Sequence, residues 1–390
     1  MVDVCIVVEG SYPFVTGGVS AWTDGLLKGL PDLSFAVAHV RDEQDAGASP
    51  AYALPGNARL SHVDLDPDEV RPEPGSHRAL PEARVYHAAC TGAAGELARL
   101  AAAERGAAFA LTEHGLAWRE ARFGISACRK WRVPPTTGCR KWRAPQRAMV
   151  TEELDRLAGD VLAMARDAYA SADAVTSVCG PNAAAQHALG AAAPRVIPNP
   201  VAATAAGSGS DGFLVGFIGR VVAIKDVETF LRACGHVAEE RADARFAVVG
   251  PLDQEPDYVQ ACLELTDALG LSDRVTYTGT TDPAPWLARM DALALTSLSE
   301  AQPLVALEAM AAGVPVVATD VGGCREAIGD AGLLTAPRDA RATADALLRL
   351  GRDELLRARM AAAGRRRAAE RHDPRRVYGA YRELYERLAA

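Results

Sequence analysis

Aromatic residues and lysine are scarce in this chain of 390 residues. Phenylalanine, tryptophan and tyrosine make up 6% of it, and only four of its 42 basic residues are lysines. So few aromatic rings argue against a stacking platform for single-stranded nucleic acid. The net charge of −8 argues against a surface that binds nucleic acid throughout. No run of 18 strongly apolar residues occurs, and Met1–Val8 has the pattern of a strand rather than of a signal peptide.

The eight cysteines are scattered, and no Cys-x-x-Cys pair occurs among them. This spread excludes a disulfide scaffold and a zinc ribbon, and it favours reduced thiols. We therefore expect a cytoplasmic protein, with peripheral contact at the inner membrane face left open.

Short apolar runs alternate with helical patterns along most of the chain, which is typical of βαβ units and parallel sheets. The length suits two hydrophobic cores better than one. We predict an α/β protein with two doubly wound, Rossmann-like domains, 1–200 and 201–373, and a Gly/Ser-rich break at 199–212. A closing helix at about 374–390 could pack back on the first domain. A cleft between the domains should face the carboxyl ends of the strands.

The sharpest functional signal is a strand-to-helix segment near residue 300. Pro303 suits the first position of a helix, because its missing N–H would have no partner there. The N–H groups of Leu304 and Val305 would then point out of the helix start, where they favour a phosphate oxygen. Glu300 and Glu308 could accept hydrogen bonds from two sets of sugar hydroxyls. The alternative is one capping glutamate and one surface glutamate.

A second signal, at residues 219–226, follows the first strand of the second domain. Arg220 offers a planar fork for two phosphate oxygens and Lys225 a compact charge. At an effective dielectric near 20, a cation about 4 Å from a phosphate is worth about 4 kcal/mol. Such a cation could stabilise a departing diphosphate without a metal. The alternative is an ion pair of Lys225 with Asp226 or Glu228.

Two weaker signals lie in the first domain. The loop after the first strand contains Gly17 and Gly18, and a glycine pair lets backbone approach a ligand closely. The spacing of this loop matches neither a dinucleotide fingerprint nor a Walker loop. Thr-Glu-His-Gly at 112–115 ends another strand at the expected cleft edge. A lone histidine is more often structural than catalytic, but this position adds weight to His114.

Two segments of the first domain are predicted to be irregular. Residues 41–83 are rich in proline, glycine and acidic residues. Residues 114–147 carry nine basic residues and one acidic residue, and Cys-Arg-Lys-Trp-Arg occurs there twice, at 128–132 and 139–143. We interpret the basic segment as a solvated loop. The alternatives are an anionic acceptor site or contact with acidic lipid head groups through 119–147.

Jointly, these residues resemble the retaining glycosyltransferases of family 4, which have the GT-B fold, and within them the subgroup typified by PelF. The Glu-x7-Glu spacing, the Arg-x4-Lys pair upstream and the glycine pair carry the resemblance, together with Val-Tyr-His-Ala-Ala-Cys-Thr-Gly at 85–92. The similarity covers most of the chain. Three features depart from the family pattern: Asn-Pro-Val at 199–201, Ala301 and the duplicated basic run. Because the duplicated basic run is not part of the family pattern, the identity of the acceptor stays undetermined.

The resemblance implies metal-independent transfer of a hexose, with retention, from a nucleotide sugar to a polysaccharide or a small-molecule acceptor. UDP-glucose or another UDP-sugar is favoured as co-substrate, and no other cofactor is implied. The leaving phosphate would take the proton of the acceptor, so no pair of catalytic carboxylates is needed. The implied catalytic residues are His114, Arg220, Lys225 and Glu300, and the implied donor-binding residues are Gly17, Gly18, Gly250, Gln302, Leu304, Val305 and Glu308.

Two other functions stay open from the sequence. One is a GT-B sugar-nucleotide epimerase or hydrolase, and the other is a non-catalytic, nucleotide-sugar-binding subunit of a polysaccharide assembly complex.

The run Asp-Leu-Asp-Pro-Asp at 64–68 resembles a metal site. It has Glu69 and Gly75 where a calcium loop requires glycine and glutamate, so we interpret it as a solvated loop.

Overall fold

A computed structural model of the chain describes residues 1–15, 17–41, 49–65, 71–120, 147–204 and 212–390. The chain divides into two compact units: unit 1 comprises Met1–Asn199 and Pro374–Ala390, and unit 2 comprises Pro200–Asp373. The break predicted at 199–212 lies partly outside the described residues.

Unit 1 contains a parallel sheet whose strands are runs of valine, alanine and other apolar residues. The inner strands are buried on both faces, as expected when helices cover a parallel sheet on both sides. The strands are β1 (Val2–Glu9), β2 (Phe35–Arg41), β3 (Ala58–Asp64), β4 (Ala83–Ala88), β5 (Ala108–Glu113), β6 (Ala174–Ser177) and β7 (Arg195–Val196). Their order is β3-β2-β1-β4-β5-β6-β7. The helices between them are α1 (Gly18–Gly29), α2 (Ala93–Arg105), α3 (Ala117–Glu120), α4 (Arg147–Ser171) and α5 (Gly180–Ala188).

Unit 2 repeats this plan with a second parallel sheet. Its strands are β8 (Phe213–Ile218), β9 (Ala244–Val249), β10 (Val275–Tyr277), β11 (Ala292–Leu295), β12 (Val316–Thr319) and β13 (Gly332–Thr335), in the order β10-β9-β8-β11-β12-β13. The helices are α6 (Val227–Glu240), α7 (Pro256–Ala268), α8 (Ala284–Leu287), α9 (Leu304–Ala312), α10 (Cys324–Ile328), α11 (Ala340–Arg352) and α12 (Glu354–Arg371). The predicted α/β fold with two doubly wound sheets is confirmed.

The last helix, α13 (Pro374–Ala389), belongs to unit 1. Tyr381 and Tyr385 are at most 2% exposed and lie in the same core cluster as Trp22 of α1. The hydroxyl of Tyr385 lies 2.6 Å from Nδ1 of His87 in β4. The helix therefore completes one face of the first sheet.

Some elements differ from the sequence prediction. Residues 41–83 were expected to be irregular, but they contain β3 and a 3-10 turn at Ser76–Ala79. β3 is an edge strand that is only partly buried, so its apolar pattern is weak. The short elements α10 and β13 were not predicted at all. Within the described ranges, no helix is both long and apolar enough to cross a membrane.

Each sheet changes winding direction once, between β1 and β4 in unit 1 and between β8 and β11 in unit 2. Loops that leave the carboxyl ends of two such strands lie side by side, and this is where doubly wound folds bind ligands. In unit 2 these loops carry the predicted residues Arg220, Lys225 and Glu300.

Candidate active site

The loop after β8, residues 219–226, carries the two predicted cations of unit 2. Two backbone hydrogen bonds join it to the end of β9 and the loop that follows. The N–H of Gly219 donates to the carbonyl of Val249 (2.9 Å), and the N–H of Val221 donates to that of Pro251 (3.1 Å). These hydrogen bonds therefore fix the backbone of the cation-bearing loop without a ligand.

Gly250 permits this close approach of the two loops. Its φ is +144°, and a Cβ at this position would lie 2.2 Å from the carbonyl oxygen of Gly219. A larger residue would displace the backbone of one loop. That Gly250 binds the donor stays a prediction, and its observed role is to let these loops pack.

A 3-10 turn at Ala223–Lys225 ends the loop, and Asp226 then caps α6. The carboxylate of Asp226 accepts hydrogen bonds from the N–H (3.3 Å) and the hydroxyl (2.7 Å) of Thr229. Glu228 forms its ion pair within α6. The structure therefore does not pair Lys225 with Asp226 or Glu228, the alternative that the sequence left open.

Lys225 instead forms an ion pair with Glu300, which follows β11. Its ammonium contacts Oε1 of Glu300, and the hydroxyl of Ser297 donates to the same oxygen (2.7 Å). The side chains of Lys225 and Glu300 are 21% and 10% exposed. Across the part of the chain that the structure describes, Oε2 of Glu300 receives no hydrogen bond. One oxygen is thus held by the protein, while the other can accept a bond from a ligand.

Further hydrogen bonds tie the loops after β8 and β11 together. The hydroxyl of Thr296 donates to the carbonyl of Asp226 (2.8 Å), and the N–H of Leu298 donates to that of Ile224 (2.8 Å). These bonds are possible because β8 and β11 are neighbours in the sheet. The Lys225–Glu300 pair therefore sits at the point where the winding of the second sheet reverses.

A third loop, after β12, holds the backbone of Glu300. The N–H of Gly323 donates to the carbonyl of Glu300 (3.3 Å). Gly322 lies beside the same carbonyl at φ +50°, and a Cβ there would be 1.6 Å from its oxygen. The hydroxyl of Thr319 also donates to the carbonyl of Ser297 (2.6 Å). The position of the Glu300 carboxylate is thus set by loops from three adjacent strands.

Helix α9 begins immediately after these residues. Pro303 is its N-cap rather than its first residue, because the extended ψ of 112° places Pro303 outside the helix. Leu304 and Val305 are therefore the first two helical residues, and their N–H groups have no carbonyl partner within the helix. Gln302, predicted to bind the donor, is buried before the cap. The helix start presents partial positive charge beside Glu300.

Glu308 lies one turn further along α9. Burial raises the pKa of its carboxyl, and the nearby charge of Asp282 raises it further. Among the described residues, the carboxylate of Glu308 has no hydrogen bond and no ion pair. Glu308 is thus a half-buried acceptor that a ligand could engage.

Arg220 lies at the other end of the loop after β8 and is exposed. One of its terminal nitrogens, Nη1, donates a hydrogen bond to Oε1 of Gln254 (2.9 Å). The next residue, Glu255, accepts a hydrogen bond from the N–H of Ala223 (2.9 Å). Sequence reasoning did not single out Gln254 or Glu255, since neither forms part of a recognisable motif.

The predicted residues of unit 1 lie in separate loops of that unit. Gly17 is the N-cap of α1 and Gly18 its first residue, and both are exposed. A Cβ at Gly17 would meet nothing within 4 Å, so the space beside this helix start is open. Their contact with a donor stays a prediction.

His114 follows β5 and is half-buried, and its Nε2 is both inaccessible and without a hydrogen-bond partner among the described residues. Its ring lies 4.6 Å from the ring of Trp22. Burial lowers the pKa of His114 to about 4, and a hydrogen bond with Asn199 opposes this shift. His114 is therefore neutral at pH 7.

The preceding residue, Glu113, was missed as a functional candidate. Its fully buried carboxylate accepts hydrogen bonds from Thr91 (2.9 Å), Gln186 (2.9 Å) and the hydroxyl of Tyr169. Burial raises the pKa of Glu113, and these three donors oppose the shift. The signal in the sequence was an acidic residue at the end of a buried strand. Glu113 ties β5, and hence the backbone of His114, to helices α4 and α5 and to the loop between β4 and α2.

Some predicted features lie outside the described residues. These include the duplicated basic runs at 128–132 and 139–143, most of the proposed 119–147 contact, and the aspartates at 66 and 68. Asp64, at the end of β3, pairs with Arg41 (2.6 Å). Within the described ranges, no three His, Cys, Asp or Glu side chains are grouped so that they could hold a metal ion.

Comparison with known sequences finds a family match in each half of the chain. Residues 212–353 match the family described as "Glycosyl transferases group 1". This match covers most of unit 2, and together with the fold it supports a glycosyltransferase of the GT-B, family 4 type. Residues 2–74 and 70–194 match a domain of unknown function, DUF3492. The match to group 1 covers every predicted site residue of unit 2, while the PelF-like subgroup stays a prediction.

Curated relatives of this chain include D-inositol 3-phosphate glycosyltransferases. The protein of Salinispora arenicola is 29% identical over 89% of this chain and 88% of its own length. That of Frankia alni is 39% identical, over 41% of this chain and 42% of its own. The N-acetyl-alpha-D-glucosaminyl L-malate synthase of Bacillus anthracis is 34% identical over 42% of each chain. This chain thus spans about two-fifths of the Frankia and Bacillus relatives.

Solved structures share the fold over nearly the full length. Sucrose-phosphate synthase from Thermosynechococcus elongatus has a TM-score of 0.76 at 19% identity, covering 98% of both chains. Anabaena HepE, solved in complex with UDP and glucose, has a TM-score of 0.72 at 18% identity, covering 99% of this chain and 100% of its own. At these identities the likeness establishes the GT-B fold alone.

Proposed function

We propose that this protein transfers a hexose from a nucleotide sugar to an acceptor, with retention of anomeric configuration and without a metal. The observation that carries the proposal is the Lys225–Glu300 pair beside the start of α9. A cation suited to a diphosphate and a carboxylate suited to a sugar hydroxyl are held within one fixed set of loops. A donor that contains both groups fits this arrangement.

The diphosphate of the donor would contact three positive groups of unit 2. The ammonium of Lys225 has three N–H donors, of which Glu300 takes one, so two remain for phosphate oxygens. Arg220 supplies a planar fork of N–H donors. The free N–H groups of Leu304 and Val305 add the positive end of the helix dipole. Together these groups would offset the charge that the diphosphate gains as it departs.

The two glutamates would bind the two sugars of the donor. Oε1 of Glu300 already accepts bonds from Lys225 and Ser297, so Oε2 would accept a hydroxyl of the transferred hexose. The half-buried carboxylate of Glu308 would accept the ribose hydroxyls. The division follows the order along the chain, because Glu300 precedes the phosphate-binding helix start and Glu308 lies beyond it.

In the transfer step, the bond between the anomeric carbon and the phosphate oxygen breaks, and a bond to the acceptor oxygen forms on the same face of the ring. The proton of the acceptor hydroxyl passes to the departing phosphate oxygen. No protein base is needed for this exchange. His114, neutral at pH 7, would then add no charge beside the donor sugar.

The choice of donor and acceptor rests on chemical analogy. HepE was solved with UDP and glucose, and the curated relatives are named for D-inositol 3-phosphate and L-malate. These names support testing UDP-glucose first, with a polyol phosphate, malate and an oligosaccharide as acceptors.

Nucleotide binding tests the donor site directly. Thermal shift and calorimetry with UDP, GDP and ADP, all in EDTA, should show binding of one nucleotide, with UDP expected. Turnover of UDP-glucose, followed by NMR of the anomeric proton, should give a product with the anomeric configuration of the donor. Glu300→Gln should lower turnover at least 100-fold while UDP affinity changes less than fivefold. Glu264→Gln, an exposed change on α7, is the matched control and should leave both unchanged.

Three outcomes would contradict the proposal. Failure of all three nucleotides to bind would remove the donor site. An inverted product would exclude retention. Conversion of UDP-glucose to an epimer or to free sugar, with no transfer to any acceptor, would favour the epimerase or hydrolase alternative.

A further inference from the structure

The two cations of the proposed diphosphate site, Lys225 and Arg220, differ in how far a neighbouring carboxylate neutralises them. Lys225 is paired with Glu300, so part of its charge is already offset inside the protein. Arg220 differs, because the one partner of its guanidinium among the described residues is the neutral side chain of Gln254. Most of the uncompensated positive charge in this loop therefore belongs to Arg220.

We propose that Gln254 is a positioning residue for donor binding: it orients the Arg220 guanidinium without neutralising it. The proposal rests on the donor site proposed above. The amide oxygen of Gln254 accepts from Nη1 at 2.9 Å, which uses one of the five N–H donors of the guanidinium. The other four remain for the oxygens of a diphosphate.

The neutrality of Gln254 is the central point. A carboxylate at this position would form a charge-assisted and often bidentate bond with Arg220, and it would compete with a phosphate for the same N–H groups. The chain does carry a carboxylate in this loop, but one residue further on. Glu255 is directed to the N–H of Ala223 (2.9 Å), where it holds the backbone of the cation-bearing loop. The negative charge thus supports the backbone, and the neutral amide supports the guanidinium.

The surrounding backbone gives Gln254 a fixed place relative to Arg220. Gln254 lies in the loop between β9 and α7, and the carbonyl of Pro251 in the same loop accepts a hydrogen bond from Val221, next to Arg220 (3.1 Å). Glu255 is the N-cap of α7, so the loop ends on a rigid element. Orienting Arg220 in advance lowers the conformational entropy lost when a ligand binds.

Calorimetric titration with UDP tests the role of Gln254. Gln254→Ala frees the guanidinium and should weaken UDP binding about threefold. Gln254→Glu keeps the shape but adds the competing charge, so it should weaken binding at least tenfold. A purely structural role would give the reverse order, because glutamate fills the same space as glutamine. The matched control is Gln260→Glu, which makes the same charge change at an exposed site on α7 and should shift affinity less than twofold.

Two further measurements separate the outcomes. Arg220→Ala should weaken UDP binding at least tenfold, and if it does not, the proposed donor site itself is wrong. If Arg220→Ala weakens binding but Gln254→Glu costs no more than Gln254→Ala, the positioning role is overturned while the donor site stands. Equal effects of Gln254→Glu and Gln260→Glu would also overturn it, since they would reflect only added surface charge. Thermal unfolding of each variant establishes that the compared proteins are folded.

Discussion

Lowering the pH from 7 to 5 should destabilise unit 1 through two imidazoles on one side of its sheet. His87 is fully buried in β4, where its ring nitrogens contact the hydroxyls of Tyr385 (2.6 Å) and Thr112 (2.7 Å). Burial lowers the pKa of His87 to about 3, and the neighbouring His114 contributes to this shift. The pKa of His114 is lowered to about 4, again mainly by burial. The indole of Trp22 contacts both rings.

The sign of the effect follows from where the protons bind. Unfolded histidine has its ordinary pKa of 6.5, so between pH 6.5 and the folded values the unfolded chain takes up protons that the folded chain does not. The stability of the folded state is therefore complete above pH 6.5 and is lost as the pH falls towards 4 and then 3. Each pH unit in this window costs about 1.4 kcal/mol per imidazole. Between pH 7 and pH 5 the loss is about 2 kcal/mol for each histidine and about 4 kcal/mol for both.

Urea titrations at pH 7 and pH 5 would measure this loss. Pulsed hydrogen exchange, followed on peptides from β4 and β5, would report the unfolding of unit 1 alone. His87→Gln should keep the hydrogen bonds but remove the titration, so the pH-dependent loss should fall by about half whatever the stability of the variant at pH 7. His236→Gln is the control, since this side chain is 38% exposed on α6 in unit 2. An unchanged loss in His87→Gln, or an equal reduction in His236→Gln, would refute the reasoning.

Three further predictions concern the proposed donor site. At an effective dielectric near 20, a cation about 4 Å from a phosphate is worth about 4 kcal/mol, and Lys225→Ala removes such a cation. UDP affinity, measured by calorimetry, should therefore fall at least 100-fold. Lys28→Ala should leave UDP affinity unchanged, and a loss below threefold in Lys225→Ala would contradict the proposed site. Ser297→Ala removes one of the two hydrogen-bond donors to Oε1 of Glu300. Steady-state kinetics should then show a kcat about tenfold lower, with the KM for the donor within twofold of the wild-type value. A change confined to KM would argue against a role of Ser297 in positioning Glu300. Burial raises the pKa of Glu308, the carboxylate proposed to accept the ribose hydroxyls. UDP affinity should therefore fall from pH 7 to pH 5 as this carboxylate takes up a proton, and Glu308→Gln should flatten that profile; a flat wild-type profile would exclude the assignment.

The alternation of apolar runs was enough to predict two parallel sheets, because strands buried on both faces leave a strong signal. The same periodicity placed Lys225 and Glu300 in loops after two different strands. That these side chains pair could not be read from spacing, since the contact depends on β8 and β11 being neighbours across the reversal of the sheet. The sequence offered Asp226 and Glu228 as nearer partners, and the capping of α6 by Asp226 explains why the first of these is not used.

Other features left little signal in the sequence. β3 is half-exposed along an edge and lies between residues that favour loops, so a single buried face did not stand out. Gln254 belongs to no motif, and its role depends on a hydrogen bond to a residue 34 positions earlier. In Thr-Glu-His-Gly at 112–115, His114 was selected as the candidate and the neighbouring Glu113 was not. Its partners Thr91, Tyr169 and Gln186 are brought to it by elements that are distant along the chain.

The position of α13 in unit 1 has a consequence for the folding of that unit. Residues 374–390 are synthesised after all of unit 2, yet Tyr381 and Tyr385 fill the interior of unit 1. Until that helix is made, the first sheet keeps one apolar face uncovered. The core of unit 1 therefore cannot close before residues 374–390 are available, and a stop codon near residue 374 would remove part of that core.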